Sequence, residues 1–299
     1  MTALHLVRLP VHMRPFTEWA LERGYLSTPP GDGKGKPRDA DLGYALHALL
    51  TGLFGKEEAP RPFAPPALGE PQSRTPSDAL GLWGYTRHPL ADLAEVAKLA
   101  DARLYGMVAW DDPHATSKPM PAHWPAGLKL RFELRACPVK RRWPSRPLVT
   151  NAAADNRRAT VAFADAKKRE MDAFQLVAAR AVEDGKPVPA RSDVYTDWLA
   201  ATLAEKQGKP QAASLIELPA HPGGQAARYD VRVDAMRSTR LLRRPRDNGS
   251  RSAQWLTRPD VRFSGLLEVV EGEAFAHLLA AGVGRHCGFG FGMLLLKPA

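Results

Sequence analysis

The chain has 299 residues, enough for about two domains of ordinary size. Apolar residues make up 44% and charged residues 25%, which excludes wholesale disorder. Lys and Arg total 42 against 32 Asp and Glu, a net charge of +10, and Arg outnumbers Lys 29 to 13. Arginine suits bidentate phosphate contacts and stacking on bases, so this surplus points to a polyanionic partner. Apolar runs fall short of the roughly 18 to 20 residues of a membrane span, so no membrane association is expected. The N-terminal segment lacks the charged head and long apolar block of a signal peptide. Cys137 and Cys287 match no metal-ligand spacing and read as reduced thiols of a cytoplasmic protein.

Residues 4–11 alternate loosely and read as a first strand. A short helix fits residues 15–24, while the Pro, Gly and charge of residues 27–41 leave no room for an element. Asp41 has the character of a helix N-cap. Leu42, Leu46, Leu49, Leu50 and Leu53 follow at helical spacing, up to Gly55. One short strand fits within the Pro-rich residues 56–76, near 61–64. Residues 80–86 read as a strand, and His88-Pro89 opens a helix carrying Leu90, Leu93, Val96 and Ala97. Residues 103–110 read as another strand. Strand, helix, strand, strand, helix, strand is the split βαβ pattern of a ferredoxin-like domain. It predicts a first domain over residues 1–111 and a linker over 112–127.

The second half repeats this order of elements without repeating the sequence. Residues 128–137 alternate apolar and charged, a strand signature. A basic loop follows, with Lys140, Arg141, Arg142 and Trp143. Helical composition marks residues 164–184. Ser192-Asp193 reads as the cap of a helix carrying Val194, Tyr195, Trp198, Leu199 and Leu203. Strands are expected at 213–218, 229–233 and 261–270, with a long basic connection over 237–262. A helix at 273–281 leads into a glycine-rich turn and a final apolar strand. The predicted fold is α+β: two tandem ferredoxin-like (RRM-like, βαββαβ) domains with inserted loops, the second over residues 128–299.

The glycines of that turn are the most specific feature. Gly282, Gly284, Gly290 and Gly292 fit G-h-G-x5-G-h-G, with Val283 and Phe291 at the apolar positions. Glycines between a helix and a strand permit positive φ or close approach, and their amides can cradle phosphate. A purely structural turn would use them equally well. No Gly-Lys-Ser/Thr ends the loop, and it precedes a strand rather than a helix, so it is neither a P-loop nor a dinucleotide fingerprint.

This C-terminal signature resembles that of the repeat-associated RNA-binding (RAMP) proteins of CRISPR systems. The string 282–298 is similar to the closing segment of the CasE-type CRISPR repeat endoribonucleases. Residues 263–269, 130–138, 195–199 and 44–55 resemble further segments of that family. The resemblance spans most of the chain and departs from it at insertions over 27–40, roughly 140–190, and 238–258. It implies metal-independent cleavage of CRISPR precursor RNA within the repeat, at the base of a stem-loop. Attack by a 2′-hydroxyl would leave a 2′,3′-cyclic phosphate and a 5′-hydroxyl. No cofactor and no catalytic metal are expected. The implied partners are the repeat stem-loop, retained as product, and the subunits of a multi-protein interference complex. A non-catalytic RNA-binding subunit of such a complex is the alternative.

His47 is the candidate proton carrier, because an imidazole titrates near working pH. Tyr44, at i−3 on the same helix face, would orient the ring or contact the phosphate, as the resemblance also implies. Packing on a Leu-rich helix would explain the pair equally. Arg141 and Arg142 form one basic cluster, and Arg237, Arg240, Arg243 and Arg244 another. Together with Arg285, His286 and the four motif glycines they are the candidate RNA-binding residues, since A-form RNA is read largely through shape and phosphates. Trp143, Tyr195 and Trp255 are candidates for stacking on an unpaired base, and Trp198 for the core.

Overall fold

The computed structural model describes residues 3–26, 41–65, 79–140, 170–204, 210–219, 228–243, 246–247, 250–251 and 254–299. In the first half, β1 (His5–His12) leads to α1 (Met13–Glu22), α2 (Leu42–Glu58), β2 (Phe63–Ala64) and β3 (Ala79–Thr86). Then come α3 (Leu90–Ala97), α4 (Ala102–Tyr105) and β4 (Thr116–Pro119). The four strands form one antiparallel sheet in the order β2-β3-β1-β4. That places the first and third strands centrally, as in the split βαβ pattern. Val7, Leu9 and Val11 alternate to one face of β1 and bury against Ala45, Leu46, Leu49, Leu50 and Leu53 of α2. Each such leucine contributes roughly 1.5–3 kcal/mol by leaving water. The predicted helix stop is visible as Gly55, whose φ of 74° lies outside the helical region.

The second half has β5 (Lys129–Ala136), β6 (Val139–Lys140), β7 (Met171–Asp172), α5 (Ala173–Glu183), α6 (Arg191–Leu203) and β8 (Ala213–Leu215). There follow β9 (Val231–Arg243), β10 (Arg246–Asp247), β11 (Ser250–Arg251), β12 (Gln254–Val269), α7 (Gly272–Ala281) and β13 (Leu294–Pro298). The main sheet runs β13-β5-β12-β8, all antiparallel. Strand β9 continues along the edge of β12 that β8 begins. Counting β8 with β9 as one strand, the order is again fourth, first, third, second. The fold is therefore α+β, with two ferredoxin-like sheets in tandem.

The halves pack together through the face of the first sheet that α2 leaves uncovered. Leu4, Leu6, Trp83 and Met120 lie against the core of the second half. The buried Tyr85 hydroxyl donates to Leu294 O at 2.8 Å. No helix among the described residues is long and apolar enough to cross a membrane.

Four expectations need correction. Residues 103–110 are not a strand: α4 occupies their start, capped by Asp101, and only Val108 bridges to Val11. The first sheet takes its fourth strand instead from β4, inside the expected linker; residues 116–119 pair with β1 through backbone bonds that composition does not reveal. Residues 237–262 are not a loose basic connection. Most of them lie in the long β9–β12 hairpin, where cross-strand bonds satisfy the backbone; Arg237 stays largely exposed, while Asp260 and Arg258 turn inward. Finally, Ser192-Asp193 is not the cap of α6, because the helix already starts at Arg191, after Ala190. Of the helix expected over 164–184, residues 164–169 lie outside the described residues.

Candidate active site

Helix α2 begins at a buried carboxylate. Asp41, only 4% exposed, accepts from Tyr44 N through Oδ1 at 2.9 Å, the expected N-cap bond. Its Oδ2 accepts from Leu242 N at 2.7 Å. One side chain thus ties the start of α2 to the basic hairpin of the other half. Tyr44 and His47, both partly buried, follow on that first stretch of helix.

The glycine-rich loop meets the same stretch. Phe289 stacks on Tyr44 with ring centroids 6.0 Å apart and planes 9° from parallel. It also lies 4.6 Å from the His47 ring. Tyr44 and His47 are 6.4 Å apart, and Tyr25 and Trp19 continue the aromatic row behind Tyr44. Gly43 allows this approach, since a Cβ there would fall 2.2 Å from Phe289 O. The paired residues and the glycine motif, far apart in sequence, therefore form one site.

The motif glycines shape the loop against protein. Gly282, Gly284, Gly290 and Gly292 all have φ near 80°. A Cβ at Gly292 would lie 2.6 Å from both Cys287 Sγ and Val283 O, and one at Gly284 2.9 Å from the Trp198 ring. Val283 N donates to Gly292 O, and Gly292 N donates to Arg135 O, which seats the loop on β5. Trp198 is core, as expected.

Charges near the loop are largely compensated. Glu170 receives Arg285 Nε on Oε1, and its Oε2 lies 2.8 Å from His286 Nε2 and 3.4 Å from Arg258 Nε. Burial opposes ionisation of Glu170, but the His286 hydrogen bond and the charges of His286 and Arg285 outweigh it and hold its pKa at about 2. Asp260, 2% exposed, takes a bidentate pair from Arg135 at 2.8 and 2.9 Å and one bond from Arg237 Nε at 2.7 Å. Burial opposes its ionisation too, and the two arginines overcome it, so its pKa is lowered.

The candidate RNA-binding residues thus divide. Arg285 and His286 are ion-paired to Glu170. Arg237 pairs with Asp260 yet keeps 62% of its side chain exposed. Arg240 lies over the Trp255 ring at 5.7 Å, on the same hairpin. Arg243 is in β9 by its backbone. Arg141, Arg142, Trp143 and Arg244 lie outside the described residues. Tyr195 is not available for base stacking: it is 1% exposed, and its hydroxyl is hydrogen-bonded to Asp172 and Arg191. Both cysteines are buried.

Sequence reasoning missed five parts of this site. Phe289 sits among the unspecified motif positions, and Gly43 looks like an ordinary helix residue. Glu170, Asp260 and Arg135 carry no motif; only their partners in space mark them.

The family model described as CRISPR associated protein matches residues 5–298. No curated protein matches the chain. Among solved structures, the CRISPR endoribonuclease Cse3 bound to a 19-nucleotide RNA is 20% identical with a TM-score of 0.50, covering 99% of this chain and 100% of that one. Thermus thermophilus Cse3, bound to an RNA representing a pre-cleavage complex, is 18% identical with a TM-score of 0.49, covering 99% and 100%. The CRISPR-associated protein Cas6e from Escherichia coli K-12 is 15% identical with a TM-score of 0.43, covering 99% and 100%. The first of these likenesses is one of fold. Matched by the family model from residue 5 to residue 298, the chain belongs to the CRISPR associated protein family.

Proposed function

We propose that this protein is a metal-independent endoribonuclease that cuts CRISPR precursor RNA within the repeat, at the base of a stem-loop. The observation that carries this reading is the placement of the His47 ring, 4.6 Å from Phe289 of the glycine-rich loop, on a helix tied to the basic hairpin. A histidine on a helix tied to an arginine-bearing hairpin has the parts needed for phosphate transesterification. The similar fold of the CRISPR endoribonuclease Cse3, bound to a 19-nucleotide RNA, supports the same reading.

In this mechanism the ribose 2′-oxygen loses its proton and attacks the adjacent phosphorus. The bond to the 5′-oxygen breaks, and that oxygen takes up a proton. The products are a 2′,3′-cyclic phosphate and a 5′-hydroxyl. His47 carries one of these two proton transfers, and Tyr44 orients its ring or contacts the phosphate. The arginines of the β9–β12 hairpin, with Arg141, Arg142 and Arg244, hold the stem. The glycine-rich loop adds Gly284, Arg285 and His286 to the same surface, while the Gly282 and Gly292 amides are spent on Leu278 O and Arg135 O. The cut stem-loop stays bound and carries the protein into a multi-subunit interference complex in the cytoplasm.

The test uses cognate repeat RNA in EDTA, beside His47→Ala and an RNA with a 2′-deoxyribose at the cut. Cleavage by the unmodified protein alone, on the unmodified RNA alone, is expected. Cleavage that survives His47→Ala or requires magnesium overturns the mechanism. Tight binding without any cutting identifies a non-catalytic guide-binding subunit instead.

A further inference from the structure

The Glu170 cluster lies outside the reacting groups, yet three separate segments converge on it. Glu170 directly precedes β7, which pairs with β6 and so closes the insertion after Lys140. Arg258 comes from the basic hairpin, and Arg285 and His286 come from the glycine-rich loop. The Glu170 side chain is 11% exposed and takes all three cations on its two oxygens. Removing such a carboxylate would leave buried and half-buried cations uncompensated.

His286 is the only described non-glycine residue with positive φ, at 64°. Side chains with a Cβ rarely adopt that conformation, so the surroundings must hold it. The Glu170 bond to its ring does so from one side. On the other side, its carbonyl accepts from Phe289 N at 2.8 Å. The Phe289 ring then lies against His47 and Tyr44. A continuous line of contacts thus runs from Glu170 through His286 and Phe289 to the candidate proton carrier.

We infer that Glu170 is a positioning residue: by gripping Arg285 and His286 it sets the glycine-rich loop so that Phe289 holds the His47 ring in place. This rests on the endoribonuclease reading only for its effect on catalysis. Its effect on the His47 ring is a property of the free protein. Glu170→Gln keeps the side-chain volume but removes the charge, and the amide nitrogen cannot accept from His286 Nε2–H. RNA binding should not weaken, because a negative charge beside Arg258 and Arg285 has been removed. A general structural defect would weaken it.

The experiment has two readouts on Glu170→Gln. The first is the His47 ring-proton resonances of the free, histidine-labelled protein, assigned by their loss in His47→Ala. Phe289 displaces them through its ring current, so they should move in Glu170→Gln and in Phe289→Leu. Adding Glu170→Gln to Phe289→Leu should move them little further. The second readout is cleavage of saturating repeat RNA in a single turnover, expected to slow by about ten- to a hundredfold with RNA affinity equal or tighter. Unmoved His47 resonances in a folded Glu170→Gln protein overturn the inference. So does a cleavage loss that merely follows a loss of RNA affinity. If the resonances move as expected but the unmodified protein never cuts, the positioning holds and the endoribonuclease reading fails. Should Glu170→Gln not fold, His286→Leu, which has no donor for Glu170, breaks the same line of contacts one step later and is read by the His47 resonances alone.

Discussion

The surroundings of His47 and of Glu170 differ in kind, although one short loop joins them. His47 is set among Tyr44, Phe289 and the aromatic row behind them, packed by ring contacts. Glu170 is set among Arg258, Arg285 and His286, held by charge. Ring packing restrains an imidazole through its faces, which suits the proton carrier of the proposed mechanism. Charge pairing is strong but consumes the charges involved, which suits a brace. Under the proposed function, the difference separates a residue that acts from a residue that places it. It also moves the expected work of phosphate contact from Arg285 and His286 toward Arg237 on the hairpin, whose side chain stays mostly exposed.

The severest way to break this contrast is His47→Ala. Single-turnover cleavage should fall by roughly 10²–10⁴-fold, the usual weight of general acid–base catalysis, with little change in RNA affinity or thermal stability. A comparable loss of stability would make His47 a packing residue.

Next in size are two changes at the joints. Gly292→Ala places a Cβ against Cys287 Sγ and Val283 O at a φ of 78°. Denaturant unfolding should show a loss of about 1–3 kcal/mol from backbone strain alone, with more from the clash. Asp41→Asn leaves one of the two buried amide donors, Tyr44 N or Leu242 N, facing another donor. The same measurement should show a loss of about 1–3 kcal/mol. Cleavage should fall with it, because the helix start loses its tie to the hairpin.

Acid tests the charged side by itself. The pKa of Glu170 is held at about 2, below its ordinary 4.5. A depressed folded-state value means that the unfolded chain binds the proton more readily. The stabilisation is therefore complete above about pH 4.5 and is lost as pH falls toward 2, on the order of 2 kcal/mol in all. Glu170→Gln should flatten this part of the acid-unfolding curve. An unchanged curve would mean that the cluster contributes nothing as a brace.

The mildest probe is Arg240→Ala. It should weaken RNA binding a few-fold and reduce the slope of log affinity against log salt by about one, with the cleavage rate at saturation unchanged.

Periodicity made the skeleton legible. The alternation in β1 and β5, the leucine spacing of α2 and the Asp41 cap all depend on neighbours within a few residues, so they can be read directly. Residues 103–110 and 116–119 were misjudged for the opposite reason. Whether a short polar stretch becomes a strand depends on which edge lies beside it, and here β1 offered one to residues 116–119. The basic stretch 237–262 hid its pairing in the same way, because charged side chains on an exposed hairpin look like those of a loop.

The candidate site divides along the same line. Tyr44, His47 and the four motif glycines stand out by type and spacing, and the sequence alone determined them together with the α+β element order and the basic surplus. Only the tertiary structure decided that Phe289 bridges the two, that Gly43 makes room for it, and that Glu170 and Asp260 neutralise arginines that would otherwise count as free. Ring contacts and ion pairs between residues on separate elements leave no local pattern, because packing brings them together and chain spacing does not.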